Sequence, residues 1–60
     1  MTERTQALIH ALRERGGEAA EDRAEELVHL AERLQAGVPG AGFVLVMAEA
    51  DAESLLGGAS

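Results

Sequence analysis

Apolar positions recur along this chain in two registers, and each register predicts a different kind of element. Met1, Thr5, Leu8, Leu12 and Arg15 step by four, three, four and three residues, the spacing of one helical face. Thr2 reads as the N-cap of that helix, with Glu3 in the first turn, where the helix dipole favours an acid. Gly16–Gly17 then interrupts the pattern, since two glycines inside a helix cost about 2 kcal/mol relative to alanine. A second stripe, Ala20, Ala24, Leu27, Ala31 and Leu34, repeats the same steps. Val28 and Leu30 widen it toward more than one neighbour. Helices are therefore predicted over 2–15 and 18–35. Folding the stripes together about the glycine pair sets Leu12 near Ala24, Leu8 near Leu27, Thr5 near Ala31 and Met1 near Leu34. The expected result is an antiparallel αα-hairpin. Its competitor is one continuous helix through Gly16–Gly17, held in an oligomer.

The second register is Gly42–Met47, GFVLVM, where five large apolar residues stand in a row. It reads as a strand over 43–49, with Phe43, Leu45 and Met47 on one face and Val44 and Val46 on the other. Residues 36–42, with three glycines and the only proline, are predicted to be the loop that delivers it. Gly37 is the candidate C′ residue of the preceding helix. Residues 50–60 read as a turn and a return strand, or as a short helix Ala52–Leu56 capped by Asp51 and ended by Gly57–Gly58. The predicted fold class is α+β: an antiparallel helix pair followed by a strand or small β-hairpin. A strand apolar on both faces, and short of edge partners, is expected to be completed by self-association.

Length sharpens that expectation. Sixty residues sit near the limit at which one core suffices, and 12 of the 28 apolar residues are alanine. With no cysteine, disulfide staples and thiolate zinc sites are excluded, which favours an intracellular, cytoplasmic setting. The amino terminus, MTERTQ, lacks the pattern of a signal peptide, and no apolar run approaches the roughly 20 residues of a membrane helix. A homo-oligomer, most simply a dimer, is the predicted way to gain buried area. Its interface residues are Phe43, Val44, Leu45, Val46 and Met47, with Leu27 and Leu34.

Charge narrows the partners. The net charge is −6, placed as +1 over residues 1–15, −4 over 16–35 and −3 over 36–60. A nucleic-acid binder needs a basic footprint and, for single strands, stacking aromatics. This chain has one aromatic and no lysine, so direct nucleic-acid binding is not expected. The acidic rows of the second helix could instead face a basic host protein, such as a nucleic-acid-binding enzyme that the chain blocks.

Candidate chemistry is sparse. Glu26-x-x-His29 has the spacing used by carboxylate-bridged di-metal bundles, because residues three apart on a helix project to one side. At about 100° per residue, however, His29 points away from the Leu27 stripe and shares its face with Glu18, Asp22, Glu25 and Glu32. His10 likewise lies opposite Leu8 and Leu12. Both histidines read as solvated, and no cofactor is predicted. Ser54 and Ser60 have no partnered base, and Gly37, Gly40 and Gly42 precede a predicted strand rather than the helix a phosphate loop requires. No catalytic residue is expected.

The order of helix pair, PG-x-GF-x-L-x-M and a short return ending in Gly-Ala-Ser resembles small phage and prophage accessory proteins. The resemblance covers residues 38–60 and implies a setting rather than an activity. The residues thus predict a non-enzymatic interaction protein acting as a homo-oligomer, and the resemblance implies that a phage or mobile element encodes it. The alternatives are an acidic decoy for a basic surface and a small di-metal carboxylate protein built on Glu26 and His29.

Overall fold

The computed structural model describes residues 1–57, which form three α-helices: α1 (Glu3–Arg15), α2 (Glu18–Gln35) and α3 (Ala41–Gly57). Thr2 caps α1, its hydroxyl oxygen accepting the Thr5 N–H at 3.2 Å. Gly16 closes α1 by donating its N–H to the Leu12 carbonyl at 3.1 Å. Gly16 and Gly17 both take positive φ, 74° and 99°, a conformation that side chains with a Cβ resist. That pair reverses the chain within two residues. Met1 and Thr5 meet Ala31 and Leu34 around one cavity of about 180 Å³, so α1 and α2 run antiparallel, as the two stripes require.

The second connection is built from two standard turns in succession. Gly37 donates its N–H to the Leu34 carbonyl and Val38 to the Arg33 carbonyl, each at 3.0 Å, with Gly37 at φ 81°. This is the Schellman ending of a helix. The Ala41 N–H then reaches the Val38 carbonyl at 3.2 Å, closing a turn with Pro39 at its second position and Gly40, φ 81°, at its third. Proline followed by a positive-φ glycine is the signature of a type II turn.

The α+β expectation is overturned here: the described residues contain no strand, and the fold is all-α. The segment predicted as a strand over 43–49 lies inside α3. Residues 50–57 continue the same helix, so neither a return strand nor a separate helix capped at Asp51 forms; residues 58–60 lie outside the described residues. The physical reason is twofold. A lone strand leaves its N–H and C=O rows without partners, whereas a helix satisfies them within itself. The helical stripe is also present once the window widens. Ala41, Leu45, Ala48 and Ala52 step by four, three and four, and all are buried.

All three helices feed one core: Leu8, Ile9 and Leu12 from α1, Ala20, Ala24, Leu27 and Leu30 from α2, and Leu45, Ala48 and Ala52 from α3. Leu12 and Leu27 have no exposed surface. The alanines leave room for α2 to lie close to both neighbours, since the interaxial distance follows the size of the side chains at the contact. α1 and α3 are further joined through a buried polar contact. Thr5 Oγ1 donates to Glu49 Oε2 at 2.6 Å, and Thr2 Oγ1 lies 2.8 Å from Thr5 Oγ1. Because the single Thr5 hydroxyl proton goes to Glu49, the Thr2 hydroxyl is the donor to Thr5. Thr5 is 1% and Glu49 5% exposed, so neither can exchange this partner for water. Thr5→Val is expected to lower stability by about 1–3 kcal/mol, since it strands the buried carboxylate without its donor. Urea unfolding measures this. If Thr5→Val combined with Glu49→Leu is no more stable than Thr5→Val alone, the contact is not what holds the two helices there.

Candidate functional site: the outward face of α3

A helix three turns or longer buries one stripe and shows the other, and in α3 the division is unusual. The inward stripe is made mainly of alanine, while the large residues point out. Phe43 is 73%, Val46 59%, Met47 56% and Val44 48% exposed. Of the five residues predicted as one apolar interface strand, only Leu45 is buried, at 5%. Helical geometry separates it from Phe43 and Met47, with which a strand would have grouped it. Leu27, also expected at the interface, is instead a core residue with no exposed surface, whereas Leu34 is 44% exposed and lies against Gly42: a Cβ placed there would sit 3.6 Å from Leu34 Cδ1. The outward face continues around the turn at Val38, also 44% exposed.

The acids beside this face are held by other helices. Arg4 of α1 bonds Glu53 at 2.9 Å, and Arg23 of α2 lies 4.0 Å from Asp51. The Arg4–Glu53 pair is about half exposed, so it adds roughly 0.2–1 kcal/mol at most. Its larger effect is to cancel charge at the rim.

The other sequence candidates lie on exposed helix faces. Glu26 accepts from Arg23 at 2.9 Å, and His29 is exposed on the same face of α2. Both line an open groove of about 470 Å³ with Asp22, Glu25, Arg33 and Val44. His10 Nε2 sits 2.8 Å from Glu14 Oε1 on the exposed side of α1. Among the described residues, no three His, Asp or Glu side chains are grouped to hold a metal ion. None of the described helices is long and apolar enough to cross a membrane.

No family model, curated protein or solved structure matches this chain. The outward face of α3 therefore has to be read on its own chemistry. Its polar groups are the Ser54 hydroxyl and the rim carboxylates of Asp51 and Glu53. What it offers is a contiguous apolar surface on a rigid helix, and such patches mark sites of association. Sequence reasoning singled out Phe43, Val44, Val46 and Met47 but grouped them with the buried Leu45 and Leu27, and it missed the Thr5–Glu49 contact. The signal for that contact was available: Glu49 stands four residues after Leu45 and three before Ala52, on the stripe that α3 buries.

Proposed function

We propose that this chain is a non-enzymatic interaction protein that works as a homo-oligomer, docking through the outward face of α3. The observation that carries the proposal is the exposure of Phe43, Val44, Val46 and Met47 on a helix whose opposite side already supplies its share of the core. Covering a large apolar side chain fully is worth about 1.5–3 kcal/mol. For a domain of this size, a few such residues rival the whole stability. The phage or mobile-element setting is contributed by the sequence resemblance alone.

Self-association through an exposed helix face differs in one testable respect from completion of an unfinished fold. The three-helix unit is already closed, so a charge on the face should separate the copies without unfolding them. Val46→Asp is expected to abolish the concentration dependence of the melting temperature while circular dichroism keeps its helical signal. The native chain should sediment as a dimer toward the upper micromolar range. A native chain that stays monomeric throughout the micromolar range would refute the proposal.

A further inference from the structure

We infer that the surface received by α3 is the α3 of a second copy, laid antiparallel about a two-fold axis at Ala50; this rests on the self-association proposed above and specifies its geometry. Phe43, Ala50 and Gly57 are spaced seven residues apart and run down the middle of the outward face, drifting only about 20° per step. The line grades from large to small. Phe43 is 73% exposed, Ala50 presents a methyl group, and a Cβ built at Gly57 would meet nothing within 4 Å among the described residues. Val46 and Met47 flank the large end, and Ser54 flanks the small one. Reversal about Ala50 lays Phe43 of each copy over Gly57 of the other, Val46 at the level of Ser54 and Met47 at the level of Glu53. Large meets small at the Phe43–Gly57 and Val46–Ser54 levels, which fills the space between the helices there, and at the Met47 level the Glu53 carboxylate has Arg4 2.9 Å away. A parallel pairing would set Phe43 against Phe43 and leave a gap at the Gly57 end. It would also align the two helix dipoles, which the antiparallel arrangement opposes.

Charge selects a second copy over other partners. The chain carries −6, and two copies repel wherever free acids meet. At this face the rim acids Asp51 and Glu53 already have Arg23 and Arg4 beside them. Glu25 and Glu32, exposed acids without an arginine partner among the described residues, sit on α2. α3 has no basic residue to attract a nucleic acid or an anionic lipid surface, and it has no unpaired rim acid to attract a basic protein. An apolar face whose rim acids have arginines beside them is complementary to another of the same kind, and a two-fold contact needs only such self-complementarity. α3 has 17 residues. Helices of that length span about 25 Å, and two such faces bury on the order of 1,000 Å² in total, the threshold for specific association.

The chain contains no cysteine, so introduced thiols report the geometry without interference. Facing Cα atoms on helices 8–10 Å apart lie roughly 3.5–5.5 Å from each other, overlapping the span of about 4.4–6.8 Å that a disulfide bridges. Under mild oxidation, at a concentration where the native chain sediments as a dimer, Ala50→Cys should link to itself. It should do so about tenfold faster than an α2 surface control, Glu25→Cys, because the interface raises the effective thiol concentration. Phe43→Cys should link to Gly57→Cys in a mixture and not to itself. Self-linking of Phe43→Cys would overturn the antiparallel register while leaving self-association intact. A native dimer in which Ala50→Cys links no faster than Glu25→Cys would place the interface elsewhere and overturn the inference. A native chain that is monomeric throughout would remove both it and the function on which it rests.

Discussion

Leu27→Ala is expected to cost about 2–5 kcal/mol, the range for emptying a fully buried leucine site. Leu27 stands in the middle of α2, the helix that packs on both α1 and α3, and it has no exposed surface. A single core in a chain this short supplies only about 3–5 kcal/mol. The substitution therefore takes most of what there is. At roughly 4–8 °C per kcal/mol for a domain of this size, thermal melts should fall by 10 °C or more, or lose their cooperative transition. His29→Ala, two residues away on the exposed face, is the comparator and should change stability by less than about 0.5 kcal/mol. Equal damage from the two would mean that α2 faces a different way.

The second large effect separates two neighbours in α3. Leu45→Ala should cost about 2–4 kcal/mol, whereas Phe43→Ala should leave the monomer within about 0.5 kcal/mol. In a strand, residues two apart share a face, and both substitutions would act alike. In α3 they lie on opposite sides, with Leu45 5% and Phe43 73% exposed. Urea unfolding below the concentration of assembly measures the monomer alone. Comparable losses at Phe43 and Leu45 would contradict the helix.

These two positions also explain which parts of the fold were legible in the sequence. α1 and α2 can be read because their buried stripes carry leucine at helical spacing, and their ends are marked by local chemistry. Thr2, Gly16, Gly17 and Gly37 each act on the backbone within a few residues of themselves. α3 hides its period. A run of five large apolar residues satisfies a spacing of two and a spacing of 3.6 equally well. The residues that break the tie, Ala41, Ala48 and Ala52, are too small to stand out as a hydrophobic stripe. Glu49 obscures it further, because a carboxylate reads as exposed until Thr5 is seen to donate to it from another helix. Bulk marked the outside of this helix and smallness its inside. A reading that weighs residues by hydrophobicity therefore groups Leu45 with its exposed neighbours and assigns the run a strand.

The shortness of the two connections bears on the order of events when the chain is made. Two glycines join α1 to α2, and residues 36–40 join α2 to α3, so each helix finds its neighbour by closing a small loop. Small loops close in tens of nanoseconds, and helical domains rich in such local contacts fold in microseconds to milliseconds. Encounters between separate molecules at micromolar concentration are slower, since typical association rate constants are about 10⁵–10⁷ M⁻¹s⁻¹. Each molecule thus completes its three-helix unit before meeting another. The apolar outer side of α3 is then offered from an ordered scaffold and not from an unfolded chain.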